Sequence, residues 1–343
     1  ITGSFTTLTI TPGTGASDSL QGLTLTALAV PAIVAYDILL DDANDFGGAV
    51  TVVDGADVTL NDTNGLVVAA ADTSGSLTFT AGGTVDLAYL NVAGDLAVTS
   101  AGAITDSGNL AITGTTTLDA GSGNAITLDA ANEFIGAVSV TSANDVMLND
   151  ISTLDLGAST VSGRLAVTAA SGITDSGPLA ITGSTSLAAG SASTITLDAA
   201  NDFGGAVSVT SGLTVTLNDT GPIELGNLSV GQTLTVTSAG PITSSGDIGV
   251  SGATTLTAGS ANDITLTGAN AFGGDGLQIV SGNNVTLNAS SGITLAGGTN
   301  VSGDLSITAA GLINDSGSFS ITGSTVLAAG SANNVVLDNA NNF

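Results

Sequence analysis

Residues 165–183 read LAVTAASGITDSGPLAITG, and this stretch contains the features that decide the fold. Runs of three to five residues, such as Leu165–Thr168, alternate apolar with small polar side chains and are interrupted by Gly, Ser and Asp. Alternation with a period of two places one face of a strand in a core and the other face in water. The frequent interruptions predict short strands joined by tight turns.

The phrase ITDSG recurs along the chain. It begins at Ile104 and Ile173, and it varies to ITSSG at Ile242 and INDSG at Ile313, with spacings of 69, 69 and 71 residues. Residues 110–150 and 179–219 are identical at 29 of 41 positions. Self-similarity at a long, fixed period is typical of stacked repeat proteins.

The repeat predicts the fold class and its dimensions. We predict an all-β protein, a right-handed parallel β-helix (solenoid), with a 69-residue superrepeat of three rungs. Turns of about 19–27 residues give roughly 15 rungs over the whole chain. Helix is expected to be negligible, because long helix-forming side chains are nearly missing from the composition.

Two insertions in the first part of the chain support a solenoid. Residues 96–343 form regular superrepeats of 69–71 residues, whereas residues 1–95 form an irregular unit with two extra rungs. A parallel β-helix accepts one more coil in its stack, but a β-sandwich would lose its strand register. We therefore predict a single continuous β-solenoid over residues 1–343, and we expect it to be a fragment of a longer chain.

Composition and charge exclude several classes of function. The formal net charge is −28, with 29 acidic residues against one basic residue, which disfavours binding to nucleic acid, anionic lipid or heparin-type polymers. No apolar run approaches the ~20 residues of a membrane-spanning helix, so no membrane insertion is expected. There is no His, Cys or Lys for acid–base or nucleophilic chemistry, and the lone Arg164 looks like surface variation, so we expect no enzyme.

Phrases such as LAVTAASGITDSGPLAITG and LTVTSAGPITSSG resemble the repeats of filamentous-haemagglutinin-type exoproteins. These are large β-helical adhesins of Gram-negative two-partner secretion systems. The resemblance implies a right-handed parallel β-helix, export across the outer membrane, and a role in attachment or aggregation. The secretion domain of that family is not recognisable here, and no RGD tripeptide occurs.

Recurrent polar and aromatic residues mark the predicted corners of the solenoid. Asn tolerates turn conformations and bonds to nearby backbone, and a Phe follows two residues later. The predicted structural corner residues are Asn44, Asn132, Asn201, Asn270, Phe46, Phe134, Phe203 and Phe272, and Asn61, Asn149, Asn218 and Asn288 form a second set. Oxygen-rich turns also suit calcium, for which the candidates are Asp62, Asp150 and Asp219. Otherwise no cofactor is expected.

These observations predict a structural extracellular protein. We expect a rigid rod that forms part of a surface filament or fibrous adhesin on a Gram-negative bacterium. Its partners would be further copies, joined end to end or laterally, or a host or neighbouring cell surface. The alternative is a calcium-stiffened adhesin that binds a specific glycan or protein receptor.

Overall fold

The computed structural model describes residues 7–9, 24–26 and 37–343, and its contacts divide the chain into two compact units, Ile1–Arg164 and Leu165–Phe343. The strands of the first unit are β1 Thr7–Thr9, β2 Thr24–Thr26, β3 Asp37–Asn44, β4 Val50–Gly55, β5 Val58–Asp62, β6 Leu66–Thr73, β7 Leu77–Ala81, β8 Val85–Leu87, β9 Leu90–Val92, β10 Leu96–Ser100, β11 Ile104–Asp106, β12 Leu110–Ile112, β13 Thr116–Asp119, β14 Ile126–Phe134, β15 Val138–Ser142, β16 Val146–Asp150, β17 Thr153–Leu156 and β18 Ser159–Val161.

The strands of the second unit are β19 Leu165–Ala169, β20 Gly172–Asp175, β21 Leu179–Ile181, β22 Thr185–Ala188, β23 Ile195–Phe203, β24 Val207–Gly212, β25 Val215–Asp219, β26 Ile223–Val230, β27 Leu234–Ser238, β28 Ile242–Ser244, β29 Ile248–Val250, β30 Thr254–Thr257, β31 Ile264–Asn270, β32 Leu277–Ser281, β33 Val285–Ala289, β34 Ile293–Leu295, β35 Asn300–Val301, β36 Leu305–Ala309, β37 Ile313–Asp315, β38 Ser320–Ile321, β39 Thr325–Ala328 and β40 Val335–Val336.

Within each unit the chain winds between two sheets, and its strands pair in parallel with strands one turn away. In the second unit, sheet 1 contains β23, β25, β27 and β30, and sheet 2 contains β24, β26, β31 and β33. The parallel strands stack in about 15 turns, and no helix occurs among the described residues. This confirms the predicted all-β parallel solenoid; the single continuous stack over residues 1–343 stays a prediction. In the part of the chain that the structure describes, no helix is long and apolar enough to cross a membrane.

The core is a thin layer of aliphatic side chains between the sheets. In β24 the inward residues Val207 and Val209 are buried, whereas Ser208 between them is half-buried. The same alternation holds for β25, whose Val215 and Leu217 point inward. Each fully buried aliphatic side chain contributes about 1.5–3 kcal/mol of transfer free energy, so a turn that buries several of them stabilises its neighbours without needing large aromatics.

The superrepeat differs from the predicted three rungs. In sheet 2 of the second unit, Leu165 pairs with Thr185, Thr185 with Val207, and Val207 with Leu225. Three turns therefore end at Leu225, and the next nine residues carry the chain across to Leu234 in sheet 1. A 69-residue superrepeat therefore spans three and a half turns of about 20 residues each. Because of the extra half turn, equivalent motifs in successive superrepeats do not lie in the same sheet.

Equivalent strands consequently alternate between the two sheets of the second unit. The motif strand that starts at Leu165 (β19) lies in sheet 2, its equivalent at Leu234 (β27) lies in sheet 1, and the next one, at Leu305 (β36), lies in sheet 2 again. Turn lengths vary around the mean: partners are 18 residues apart at Val207 and Leu225. The same outward side chains are therefore presented on opposite faces by successive superrepeats.

The first unit contains a longer interval between equivalent motifs. From Ile38 the register passes through Val58, Leu77 and Leu96 to Thr116, which is four turns, and a further half turn leads to β14. That interval is one turn longer than the three and a half turns of the regular superrepeat. The other predicted extra rung falls between Leu8 and Phe46, an interval of which residues 10–23 and 27–36 lie outside the described ranges.

Candidate functional site

A polar arrangement that recurs in the repeats is a bend in the strands β14, β23 and β31, which we call the polar corner. Its central residue is an Asn whose side chain is buried: Asn132 in β14, Asn201 in β23 and Asn270 at the end of β31. Asn44 is buried at the equivalent end of β3. The Phe side chains that follow are buried as well, namely Phe46, Phe134, Phe203 and Phe272.

Asn132, Asn201 and Asn270 each join the turn before them to their own turn. Asn132 Oδ1 accepts the backbone N–H of Leu110 at 2.9 Å, and Asn201 Oδ1 accepts that of Leu179 at 2.9 Å. Asn270 Oδ1 accepts the N–H of Ile248 at 3.0 Å. All three Asn therefore act through their side chains from extended strand positions, whereas left-handed backbone is found at glycines such as Gly190 and Gly259 (φ +80°).

A carboxylate from the preceding turn supports two of these Asn side chains. Asn132 Nδ2 donates to Asp106 Oδ2 at 2.7 Å, and Asn201 Nδ2 donates to Asp175 Oδ2 at 2.7 Å. Asp106 also accepts the backbone N–H groups of residues 129 and 130. Burial raises the pKa of Asp106, while the hydrogen bonds from Asn132 and from the backbone lower it; the rise is larger.

These acidic residues were not among the predicted site residues. They are the Asp of the ITDSG phrase, and they precede their Asn partners by 26 residues. The same pair recurs at Asp315 and Asn341, at 2.6 Å. The signal in the sequence was the joint recurrence of the two residues at one fixed separation.

A second carboxylate closes the polar corner from the following turn, and it is one of the predicted calcium candidates. Asp150 Oδ2 accepts the N–H of Phe134 at 2.9 Å, and Asp219 Oδ2 accepts that of Phe203 at 3.1 Å. Asp219 Oδ1 also accepts the N–H of Gly221 at 2.6 Å. Both carboxylates are buried and bind backbone N–H groups.

Burial acts on the pKa of this second carboxylate at Asp62 and at Asp219. Burial raises the pKa of Asp219, opposed by the N–H groups of Gly221 and Phe203. Burial likewise raises the pKa of Asp62, opposed mainly by the N–H of Asn64, which is 3.2 Å from Oδ1. Asp62 Oδ2 is buried without a full hydrogen bond among the described residues. Among the described residues, Asp62 therefore accepts fewer hydrogen bonds than Asp150 and Asp219 do.

The third polar corner lacks both carboxylates. Ser244 stands where Asp106 and Asp175 stand in earlier superrepeats, and Ala289 stands where Asp219 does. Asn270 Nδ2 turns instead to the carbonyl oxygens of Leu266 and Asn288, at 3.2 and 3.0 Å. Ser244 Oγ is buried and has no hydrogen-bond partner among the residues that the structure describes. One chain thus contains the polar corner both with and without its acidic residues.

The geometry of the polar corners gives little support to calcium binding. A calcium ion takes six to eight oxygen ligands, whereas Asp150 and Asp219 direct their oxygens at backbone N–H groups. Among the described residues no three carboxylates converge as a metal site. Calcium binding stays a prediction, and these three Asp residues are in structural positions.

The second set of predicted corner residues lies on the outside of the solenoid. Each of these Asn side chains donates from Nδ2 to a carbonyl oxygen of the preceding turn. Asn149 reaches Ala130 O and Asn218 reaches Ala199 O, both at 2.8 Å, and Asn61 and Asn288 make the corresponding bonds at 3.1 and 3.0 Å. The buried Asn side chains of the polar corner and these outer Asn side chains both connect neighbouring turns, in addition to the backbone hydrogen bonds between the strands.

The comparisons with known proteins agree with this repeated geometry. A family model described as repeats of unknown function (DUF5649) matches residues 82–141, 143–210, 212–276 and 282–343. The last three matches begin 69 and 70 residues apart, like the polar corners themselves. No curated protein and no solved structure matches the chain. Because the four matches cover most of its length, this β-helical repeat chain belongs to the DUF5649 repeat family.

Proposed function

We propose that this protein is a structural rod, a β-solenoid whose function is to provide stiff length. The observation that carries the proposal is the density of bonds between turns. Parallel strands pair at every turn, and buried Asn side chains such as Asn132 and Asn201 add side-chain bonds beside the ladder. Stacked repeats that contact only their neighbours extend in one dimension and gain stiffness from each such interface.

Location, partners and lack of catalysis belong to the same proposal. The resemblance to filamentous-haemagglutinin-type repeats supports a place on the surface of a Gram-negative cell, in a filament or fibrous adhesin. Association would be with further copies or with another cell surface, not with nucleic acid or the membrane interior, as the net charge of −28 supports. The absence of His, Cys and Lys from the sequence supports a non-enzymatic role.

Small-angle scattering on a series with one superrepeat removed or added tests the rod. Each superrepeat of three and a half turns should change the length of the particle by about 17 Å, at ~4.8 Å per turn, with an unchanged cross-section. A radius of gyration that grows with the cube root of mass would contradict it. Electron microscopy of the purified chain at high concentration tests self-association, since only isolated particles would argue against filaments built from copies.

The alternative, a calcium-stiffened adhesin, has its own experiment. Thermal melts with calcium and with a chelator should differ by several degrees if calcium ties the turns together. Equal melting temperatures with calcium and with the chelator would mean that calcium does not stabilise the rod. Substituting Asp150 by Asn would then change stability only through the bonds to Phe134 and Ser152.

A further inference from the structure

One exposed turn of the first unit contains the dipeptide Asn64–Gly65, the only Asn–Gly pair in the sequence. The turn lies between β5 and β6, so neither residue belongs to a strand. Asn64 is exposed, and Gly65 is half-buried. In the equivalent turns of later superrepeats the place of Asn64 is taken by Ser152, Gly221 and Ser291. The carboxamide is therefore specific to this turn.

The backbone N–H of Gly65 is unoccupied, although its neighbours are held. The N–H of Asn64 donates to Asp62 Oδ1 at 3.2 Å, and the N–H of Leu66 donates to the following turn at 2.9 Å. The N–H of Gly65 donates to no oxygen atom in the described part of the chain. Pro222, which has no N–H, stands at the same position in a later superrepeat, so the fold requires no donor here.

This pair has the atoms for an intramolecular reaction that needs no enzyme. The Gly65 nitrogen attacks Cγ of Asn64 and closes a succinimide ring. The Cγ–Nδ2 bond breaks, and Nδ2 leaves as ammonia with the proton that the Gly65 nitrogen gives up. Water then adds to one of the two ring carbonyl carbons and opens the ring to aspartate or isoaspartate, so one water is consumed and one ammonia is released. Gly65 has no Cβ to block the attack, and both reacting groups are held in one chain, which favours ring closure.

The other recurrent Asn residues lack this combination. Asn132 and Asn201 are buried, and each is bonded through both its oxygen and its nitrogen. The outer Asn149 and Asn218 donate Nδ2 to carbonyl oxygens and are followed by an Asp, whose charge disfavours loss of the backbone proton. Asn64 instead combines an exposed carboxamide with an unoccupied glycine N–H.

We propose that Asn64 is a site of spontaneous modification, at which the chain itself converts one carboxamide to aspartate or isoaspartate. Asn64 Nδ2 donates to Asp45 Oδ1 of the preceding turn at 2.9 Å, and the aspartate product places a second carboxylate there. A hydrogen bond between two turns is then replaced by repulsion between like charges. The carboxamide is not regenerated, so the modified fraction increases with the age of the chain. The inference depends neither on the proposed rod nor on its location.

The test is peptide mapping by mass spectrometry of the full chain after incubation in mildly alkaline buffer. Digestion at mildly acidic pH keeps the reaction from continuing in the peptides. We expect the mass gain of an amide-to-acid conversion first at Asn64, with uptake of one solvent oxygen when the water carries a heavy isotope. An unmodified Asn64, after a time that fully converts a free peptide of residues 59–69, overturns the proposal, as does faster conversion at any other Asn.

Asn284→Gly provides the matched control, because it creates a second Asn–Gly pair in a turn. The Asn283 carboxamide there likewise donates to a carboxylate, Asp263 Oδ1, at 3.0 Å, but the N–H of residue 284 is also bonded to that oxygen, at 3.0 Å. Conversion at Asn283 should be about five- to tenfold slower than at Asn64, because this bond must break before the nitrogen can attack. Equal rates would refute the selection of Asn64 by its unoccupied neighbour.

The effect of the modification is tested with Asn64→Asp, one of the two products, against Asn64→Ser, which cannot react. Ser stands at the equivalent positions 152 and 291, so this variant should keep the fold and show no conversion. The N–H of Thr63 donates to the preceding turn at 2.8 Å, next to the modified residue. We expect its hydrogen exchange to be about two- to fivefold faster in Asn64→Asp than in Asn64→Ser, as for repulsion between exposed charges. Equal exchange would refute the loosening of the two turns.

Discussion

Replacing Asn201 by Ala tests whether the polar corner holds neighbouring turns together. The substitution removes two hydrogen bonds: Oδ1 accepts the N–H of Leu179 at 2.9 Å, and Nδ2 donates to Asp175 at 2.7 Å. Leu179 is buried, so its N–H would be left without a partner, at a cost of about 1–3 kcal/mol. The bond to the carboxylate adds about 1–2 kcal/mol, taken at the low end because Asp175 is half-buried and can be hydrated again.

We therefore expect Asn201→Ala to lower the local free energy of unfolding by about 2–5 kcal/mol. Hydrogen exchange followed by mass spectrometry is the suitable assay, because a stack of repeats can open locally and need not unfold in two states. Peptides that cover residues 172–203 should lose protection, with the largest effect on the amide of Leu179.

Asn270→Ala is the matched control. Its side chain accepts the N–H of Ile248 but donates to carbonyl oxygens instead of a carboxylate. A double-mutant cycle of Asn201 and Asp175 should give a coupling of about 1–2 kcal/mol, and no such partner exists for Asn270. A change below about 0.5 kcal/mol around Leu179 would refute the view that the polar corner is a stabilising bond between turns.

Three further predictions follow from features of the core, the charges and the repeat. Thr254→Val should stabilise the chain by about 1–2 kcal/mol in urea unfolding, because Thr254 Oγ1 is buried and has no partner in the described part of the chain. Thr255→Val, on the outward face, should change the stability little, and a destabilised Thr254→Val would show that the hydroxyl is bonded. Burial raises the pKa of Asp106 and Asp219 in the folded chain above the ordinary value of 3.8. Between that value and the folded pKa the folded chain holds more protons than the unfolded chain, so the melting temperature should drop as the pH rises through this window. The drop should be smaller in Asp219→Asn. Deleting residues 166–234, one superrepeat, should leave a folded β protein by circular dichroism, because the deletion joins two strands of equivalent sequence; loss of the β signal would contradict the view that the superrepeat is the unit of the stack.

The sequence alone predicts the fold class well because the relevant signals are local. Alternation such as that of Val207, Ser208 and Val209 reports directly which side chains point inward, and the β24 strand follows it. The phrase ITDSG supplies the period. Neither signal reports how many turns fit into one period, since turn length depends on where each strand crosses to the other sheet.

The polar corner could be predicted only in part for a similar reason. Recurrence identified Asn132 and Asn201 as structural, and both are buried there. Their partners, Asp106 and Asp175, lie 26 residues earlier, which is more than one turn. Contact at that distance depends on the turn length, so the Asp residues could not be paired with the Asn before the register was known.

The half turn in each superrepeat also bears on how such a chain evolves. When one superrepeat is copied into the next by recombination, the copy is rotated to the other side of the stack, as for the equivalent strands at Leu165 and Leu234. A surface acquired once is therefore inherited in a two-sided, staggered pattern. Specialisation of one side therefore requires later divergence of a single copy, and until then the copy number fixes how many identical surfaces each side can present.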